Sequence, residues 1–184
     1  MTSDQGLDVD NGSLTSIDNY TVELLFRIDD IPEENEDGRV FIMNFSNQNS
    51  AGIFINPDGT LCYYRNQGGG TEDACGTDLV SPNYPNDFPT EWINIAISYD
   101  DNEIVVYLNG EEQFRVSGGN QFNLQNQTSY FVPSSSVNDN PVADITVDYI
   151  RYFDEVLDAT SIESLNLAAI AGNDIEIQAS ATAG

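Results

Sequence analysis

Residues Trp92 to Gly110, WINIAISYDDNEIVVYLNG, decide the fold of this chain. Large apolar residues recur at every second position in each half of the stretch: Ile93, Ile95, Ile97, Tyr99, Ile104, Val106 and Leu108. A period of two places such residues on one face of an extended strand. Asp101-Asn102 separates the two halves and predicts a bend, and Asn109-Gly110 predicts the next reversal. The stretch therefore predicts two adjacent strands of an antiparallel sheet.

Similar extended segments occur along most of the chain. Pro57-Asp58-Gly59 predicts a hairpin turn between two of them, because proline fixes φ, aspartate caps the turn and glycine accepts a positive φ. Residues 66 to 91 are predicted to form a long loop, and a polar Asn/Gln/Ser stretch follows residue 116. The extended segments cover residues 20 to 28, 39 to 45, 51 to 56, 60 to 65, 112 to 116 and 143 to 153.

A single helix is predicted near the end of the chain, in DATSIESLNLAAI at 158 to 170. Thr160 and Glu163 have the spacing of a capping box. The residues expected to cover a sheet end are Ile162, Leu165 and Leu167. The whole pattern predicts an all-β chain, a two-sheet antiparallel β-sandwich with one short C-terminal helix. One domain is expected over 1–170, with 171–184 as a terminal strand or a linker to a further module.

The charge of the chain excludes several classes of function. The sequence has 31 acidic and 5 basic residues, a net charge of -26, and all its basic residues are arginine. Without His or Lys there is no imidazole base, no His-oriented nucleophile and no phosphate-loop lysine. Binding to nucleic acid or to an anionic membrane needs clusters of Lys and Arg, which this sequence lacks. We therefore expect no nucleic-acid partner and no membrane insertion.

Two explanations of the acidic composition are compatible with each other. In a saline medium, the repulsion between surface carboxylates is screened beyond roughly 10 Å or less. In the second explanation, some carboxylates converge on Ca²⁺, a cation that takes about six to eight oxygen ligands and is abundant outside cells. Calcium is the cofactor that the sequence favours.

Cys62 and Cys75 are the only cysteines, and a Gly-rich segment lies between them. A disulfide is favoured over two free thiols, because it ties the base of a segment that is otherwise flexible. A disulfide favours an extracellular location, secreted or on a cell surface. No run of residues is long and apolar enough to span a bilayer, and the amino terminus lacks the regions of a signal peptide. The chain is interpreted as a piece of a larger exported protein with an added start methionine.

Three segments carry a resemblance to a known family. They are YTVELLFR from Tyr20, EWINIAISYDDNEIVVYLNG from Glu91 and ITVDYIRYFDEVLDATSIESL from Ile145, in this order. Together they resemble the concanavalin A-like lectin/glucanase superfamily, in its laminin G-like and pentraxin-like branch. The resemblance implies a jelly-roll sandwich with one concave sheet, typically used to bind glycans or other extracellular ligands. Trp92 could serve as a stacking platform for a sugar, but the resemblance implies that it fills the core.

The resemblance implies a calcium site as well. Asp148 is similar to an aspartate that binds a structural Ca²⁺ in bacterial β-glucanases of this fold, together with backbone carbonyls near the amino-terminal strands. Alternation places Asp148 on one strand face with Ile150 and Tyr152, where a carboxylate needs a cation or a nearby arginine to offset its desolvation. Further metal ligands are expected among amino-terminal oxygens, on Asp8, Asp10, Asp18 and Asn19.

Carbohydrate contacts are expected on aromatic and polar residues in or near the long loop. A tyrosine ring can stack on the apolar face of a pyranose while Asn and Asp pair with its hydroxyls. Each such residue has an ordinary packing or loop role as its alternative. The candidates are Tyr64, Asn66, Asp78, Tyr84 and Tyr130.

Catalysis is not expected. Glucanases of the superfamily carry closely spaced carboxylates on one strand, whereas Glu23 stands alone in its strand here. A lyase-like set around Tyr63, Tyr64 and Arg65 is discounted because adjacent strand residues point to opposite faces. The expected function is a non-catalytic, lectin-like carbohydrate-binding module stabilised by calcium, in a larger secreted or surface adhesion protein with other modules. The alternative is an adhesion or spacer domain that binds protein or nothing; a polysaccharide hydrolase or lyase is less favoured.

Overall fold

A computed structural model describes residues 7–10, 19–30, 40–45, 51–65, 71–79, 92–100, 103–117, 128–131 and 144–170. Almost all of this part of the chain is extended. The elements are β1 (Leu7–Asp10), β2 (Asn19–Asp30), β3 (Val40–Phe45), β4 (Ala51–Ile55), β5 (Thr60–Arg65), β6 (Thr71–Leu79), β7 (Ile93–Asp100), β8 (Glu103–Leu108), β9 (Glu111–Ser117), β10 (Thr128–Phe131), β11 (Asp144–Phe153) and α1 (Ala159–Ile170).

The strands form two antiparallel sheets. One sheet has six strands in the order β1-β10-β3-β4-β5-β6, and the other has five in the order β11-β2-β7-β8-β9. Strands β6 and β9 are in contact, so the sheets meet at that edge and β1 and β11 lie towards the opposite edge. The predicted two-sheet sandwich with one short late helix is confirmed.

Strands β7 and β8 come from the stretch Trp92 to Gly110, and they pair from Ile95 opposite Leu108 to Asp100 opposite Glu103. Its alternating apolar residues are all buried between the sheets, in one cluster with the inward residues of β2, β3, β4 and β5. The other face of these strands is buried too. Ala96, Val105 and Tyr107 pack there against Ile162 of helix α1 and against Leu157. The helix thus covers the outer face of the five-stranded sheet.

The helix begins differently from the predicted capping box. Asp158 caps it, because its Oδ1 accepts a hydrogen bond of 2.8 Å from the backbone N–H of Ser161. This hydrogen bond lowers the pKa of Asp158 below the usual aspartate value. Ile162 and Leu165 are buried as predicted, whereas Leu167 is 61% exposed and does not cover the sheet. Residues 171–184, the predicted terminal strand or linker, lie outside the described residues.

Two of the three turns predicted from the sequence have the expected chemistry, and the third, Asp101-Asn102, lies outside the described residues. At the first, Asp58 Oδ1 accepts hydrogen bonds from the backbone N–H and the hydroxyl of Thr60, and Gly59 has a φ of 87°. At the second, Asn109 and Gly110 have φ values of 51° and 86°, which suits the tight connection between β8 and β9.

Three strands were not predicted. Strand β6 lies inside the predicted loop of 66 to 91, and β1 and β10 are strands of only four residues each. The sequence of β6, TEDACGTDL, has no apolar alternation that would mark a strand. Its extended form depends instead on pairing with β5 and on contact with β9, which a local pattern does not reveal.

Buried tyrosines give the fold a defined response to alkaline pH. Burial raises the pKa of Tyr20, whose ring lies between those of Tyr99 and Tyr152 at centroid distances of 5.4 Å and 5.7 Å. Burial also raises the pKa values of Tyr107, Tyr149 and Tyr152. With no Lys in the chain and both cysteines in a disulfide, tyrosine is the side chain that titrates near pH 10.

We predict that tyrosine titration leaves the free energy of unfolding unchanged below about pH 10 and lowers it as the pH rises above that value. A tyrosine with a raised pKa keeps its proton in the folded chain at a pH where the unfolded chain has lost it, so deprotonation favours unfolding. Tyrosinate absorbance should therefore rise cooperatively, together with loss of near-ultraviolet circular dichroism. The scan is repeated in high salt, which screens general charge repulsion. A gradual rise of absorbance while the fold persists would contradict the prediction.

Candidate functional site

The register of the six-stranded sheet brings two of the predicted sugar contacts into one row. Tyr130 of β10 is opposite Asn44, Asn44 is opposite Gly52, and Gly52 is opposite Tyr64 of β5. We call these four residues the tyrosine row. The adjacent row, which includes Met43, Ile53 and Tyr63, is buried between the sheets. Of the adjacent pair Tyr63 and Tyr64, Tyr63 packs in the core.

The tyrosine row spans three strand spacings. At about 4.8 Å per strand, the backbone positions of Tyr64 and Tyr130 are about 14 Å apart. Gly52 contributes no side chain to the middle of the row. On the same side of the sheet, the next positions along β4 and β5 are Phe54 and Cys62, which are both buried. The row therefore borders a packed apolar patch.

The disulfide between Cys62 and Cys75 is confirmed. The two residues face each other across β5 and β6, so the bridge joins two paired strands and does not close the base of a free loop, as the sequence had suggested. Cys62 precedes Tyr64 by two residues and therefore lies on the same side of β5. The bridge fixes the hairpin that carries one end of the tyrosine row.

Asp78, another predicted sugar contact, has a structural role at the edge where the sheets meet. Its carboxylate accepts a hydrogen bond of 2.7 Å from Gln113 Nε2, and its backbone N–H donates to Gln113 Oε1 at 3.2 Å. The Gln113 side chain also lies over Gly76, where a Cβ would come within 2.6 Å of Oε1. These contacts link β6 to β9.

The predicted calcium ligand Asp148 lies in β11, an edge strand of the five-stranded sheet. This residue is exposed and lies at a bulge of β11, where the register shifts between Val147 and Tyr149. The bulge changes the alternation, so Ile150 and Tyr152 face the core while Asp148 does not. The predicted shared face was wrong, and Asp148 has no desolvation to offset.

The amino-terminal candidates fall in two places. Asn19 is the first residue of β2 and is opposite Asp100. It is six residues, or roughly 20 Å, along the strand from the position that faces the β11 bulge. This distance is too long for Asn19 and Asp148 to bind one ion. Asp8 and Asp10 are in β1, where Asp8 is directly opposite Tyr130. One predicted metal ligand is thus next to the tyrosine row. Asp18, Asn66 and Tyr84 lie outside the described residues.

A buried polar cluster that the sequence did not reveal lies on the outer face of the five-stranded sheet. Glu23 is 1% exposed, and its Oε1 accepts hydrogen bonds from Asn94 Nδ2 at 2.7 Å and from the Tyr149 hydroxyl at 2.9 Å. Its Oε2 has no hydrogen-bond partner among the described residues and lies 3.7 Å from Arg151 Nη1. The Arg151 guanidinium is centred 3.9 Å from the Tyr149 ring. We call these four residues the Glu23 cluster.

The arrangement of the Glu23 cluster is that of a structural ion pair. Burial raises the pKa of the Tyr149 hydroxyl far above its usual value, and the nearby Glu23 carboxylate adds to the shift, so the phenol remains a donor. The cross-strand neighbours of Glu23 are Ala96 and Arg151, so no second carboxylate faces it across the sheet. Two carboxylates about 5 Å apart are what a retaining glycosidase requires.

Trp92 does not fill the core, contrary to expectation. It is 41% exposed, and the Arg27 guanidinium lies 5.3 Å from the centre of its ring. Arg27 Nε donates a hydrogen bond of 2.7 Å to Asp29, which also accepts one from the Thr146 hydroxyl. Both hydrogen bonds lower the pKa of the Asp29 carboxyl, and the one from Thr146 has the larger effect. We call Trp92, Arg27, Asp29 and Thr146 the tryptophan cluster.

The described residues contain no group of three or more His, Cys, Asp or Glu side chains placed to hold a metal ion. None of their helices is long and apolar enough to cross a membrane.

Comparison with known families and sequences gave one match. A laminin G family model of the concanavalin A-like lectin/glucanases superfamily matches residues 1–163. This confirms the resemblance read from the three sequence segments. A search of curated protein sequences found no match to the chain.

Solved structures with the same fold include toxins and an enzyme. The binding domain of botulinum neurotoxin DC in complex with rat synaptotagmin II has a TM-score of 0.60 at 15% identity, covering 83% of this chain and 36% of that chain. Botulinum neurotoxin type C, whose cell entry depends on interaction with two ganglioside molecules, has a TM-score of 0.59 at 16% identity, covering 85% and 36%. Trypanosoma rangeli sialidase has a TM-score of 0.57 at 12% identity, covering 85% and 24%. The chain spans little more than a third of these neighbours at most, and the likeness shows the fold alone.

Proposed function

The chain belongs to the concanavalin A-like lectin/glucanase superfamily, and on that premise we propose that it is a non-catalytic carbohydrate-binding module of an exported adhesion protein. The observation that carries the proposal is the register, which brings the backbone positions of Tyr64 and Tyr130 into one row of the six-stranded sheet. Two aromatic residues about 14 Å apart suit an extended oligosaccharide, because each ring can stack on the apolar face of a different sugar. Between them lie Asn44, whose amide can pair with sugar hydroxyls, and Gly52, which is buried.

The non-catalytic part of the proposal is supported by the Glu23 cluster. Glu23 is the only buried charged residue among those described, and its environment consists of an asparagine, a tyrosine and an arginine. These groups surround the Glu23 carboxylate with two hydrogen bonds and an ion-pair contact, and it is buried away from solvent.

The extracellular location is supported by the disulfide, since such bridges persist in oxidising compartments. Gangliosides are glycolipids, so the type C neurotoxin shows that a chain containing this fold can depend on sugar-bearing ligands. An adhesion or spacer role without any sugar is the second candidate.

Asp8 is the predicted calcium ligand that connects a metal ion to the proposed sugar site. This residue is opposite Tyr130 and two residues from Asp10, so a Ca²⁺ ion bound at β1 would lie beside the sugar row. Asp148 lies towards the same edge of the sandwich but on the other sheet. With a single ion bound beside β1, we therefore expect removal of calcium to weaken sugar binding.

The test is a glycan-array screen followed by calorimetry on Tyr64→Ala and Tyr130→Ala. Each substitution is expected to weaken binding about tenfold, the loss of roughly 1.4 kcal/mol of stacking, because each removes one ring from the row. Tyr64→Phe and Tyr130→Phe are the matched controls. They keep the ring, so they should retain most of the affinity.

The same titrations are run in Ca²⁺ and in chelator at matched ionic strength. Binding abolished by chelation supports calcium beside the row, and unchanged binding would remove calcium from the proposal. No binding to any glycan by the unaltered protein would instead favour the spacer. Full affinity in the Tyr64→Ala, Tyr130→Ala double variant would move the sugar site elsewhere.

A further inference from the structure

We infer that the tryptophan cluster is a second ligand site, and that it binds the apolar face of a neutral sugar ring. The site lies on the five-stranded sheet, on the opposite side of the sandwich from the tyrosine row. It therefore does not depend on the function proposed for that row. The inference rests on side chains whose exposure, contacts and charge are all defined.

The sheet places the cluster in one row on the outer face. Arg27 of β2 is opposite Thr146 of β11, and Trp92 immediately precedes the residue that pairs with Phe26. Asp29 lies at a register shift of β2, and its hydrogen bonds from Arg27 and Thr146 place its carboxylate on the same face. Four side chains from three adjacent strands thus meet on a rigid surface, which is how a binding site keeps its geometry without a ligand.

The indole is exposed in a way that packing does not explain. Among the described residues, Trp92 is one of three large apolar residues that are exposed, with Val156 and Leu167, and it is the only aromatic one. Arg27 stacks on it and is itself fixed by Asp29, which Thr146 fixes in turn. Nε is the only nitrogen of Arg27 with a hydrogen bond to another described residue. The other guanidinium nitrogens have no hydrogen-bond partner in the described part of the chain and lie beside an aromatic surface.

The charges of the cluster decide the class of ligand. Arg27 and Asp29 cancel each other at the site, while the whole chain carries a net charge of -26. The negative field of the chain and the Asp29 carboxylate would repel an anionic ligand, and the arginine that lies over the indole would repel a cationic ligand. A neutral sugar avoids both repulsions. Its hydroxyls can accept from Arg27 and donate to Asp29, while its C–H face covers Trp92.

Trp92 is the only tryptophan of the chain, so its fluorescence reports on this site alone. The probes are soluble neutral oligomers of glucose, galactose, mannose and xylose, with oligogalacturonate as the charged counterpart of the galactose oligomer. We expect at least one neutral oligomer to change the emission saturably and to protect the indole from acrylamide quenching. The charged counterpart should have a smaller effect. Affinities to about 1 mM are measurable with titrations to about 10 mM.

Calorimetry on variants identifies the contacts. Trp92→Ala should weaken binding of the responding oligomer about tenfold, and Trp92→Phe should weaken it less because a ring remains. Leu167→Ala is the matched control, since it removes an exposed apolar side chain from helix α1 and should leave affinity unchanged. Thermal melting of each variant shows whether a lost affinity reflects lost folding.

Several results would overturn the inference. They are an unchanged Trp92 emission with every neutral oligomer, a stronger response to oligogalacturonate, and full affinity in folded Trp92→Ala. If a glycan binds and only the Tyr64 and Tyr130 substitutions weaken it, the proposed function stands and the tryptophan site fails. If the Trp92 response is present and the tyrosine substitutions have no effect on it, the tryptophan site stands independently.

Discussion

Replacing Glu23 by alanine should destabilise the chain by about 3 kcal/mol, which for a chain of this size lowers the melting temperature by about 10 °C. The substitution removes the acceptor of two hydrogen bonds and leaves the Arg151 guanidinium without its buried counter-charge. Asn94 and Tyr149 then carry donors in a place that water does not reach freely. The cost of a broken buried pair comes mainly from these unpaired groups.

An exposed ion pair provides the matched control for Glu23. Arg115 forms ion pairs of 2.7 Å with Glu103 and 2.8 Å with Glu112, and these side chains are 50%, 38% and 39% exposed. Because solvent screens them, Glu103→Ala should cost less than about 1 kcal/mol. Urea unfolding of both variants gives the comparison, provided the slope with denaturant is unchanged. Equal costs for Glu23→Ala and Glu103→Ala would show that the Glu23 cluster is not a structural centre.

Removing the disulfide by Cys62→Ala together with Cys75→Ala should cost about 3 kcal/mol of stability. The two residues are separated by 13 positions, and a closed loop of this length restricts the unfolded chain by about that amount in the entropy model. Sugar binding at the tyrosine row should weaken as well, because Tyr64 lies two residues from Cys62 on a hairpin that the bridge holds together. Melting and calorimetry measure the two effects separately.

Chemical reduction of the unaltered protein is the control for the disulfide. It breaks the same bond without changing a residue, so it should produce a similar fall in melting temperature. A variant that loses stability but keeps full affinity would show that the β5–β6 hairpin does not position Tyr64 for the ligand. Unchanged melting after complete reduction would contradict the stabilising role of the bridge.

The sequence predicted the interior more successfully than the sites, and β2 and β7 show why. Their large apolar residues alternate over seven positions in β7 and nine in β2, so the period of two defined the strands and the inward face. The same period also places Trp92 on the side of Asn94 and Ala96, away from the core. That signal was present in the sequence. The family pattern, which favoured a buried tryptophan, took precedence over it and gave the wrong prediction.

The placement of Asp148 was beyond sequence reasoning. A bulge adds one residue to β11, so alternation counted back from Ile150 and Tyr152 gives Asp148 the wrong face. The partners of Glu23 were hidden for a related reason. Asn94 is 71 residues away in the chain, and Tyr149 is 126 residues away, so only the register of three strands brings them together.

The sequence by itself determined the strands of the core, the two turns, the late helix, the disulfide partners and the exclusion of Lys- and His-dependent chemistry. These properties follow from composition and from a local period, which act within a few residues. Tertiary structure alone decided which residues of distant segments share a row or a contact: Tyr64 and Tyr130 share a row, Glu23 contacts Arg151, and Trp92 contacts Arg27. The reason is that a sheet face is assembled across strands, and cross-strand register depends on pairing between distant segments and on bulges.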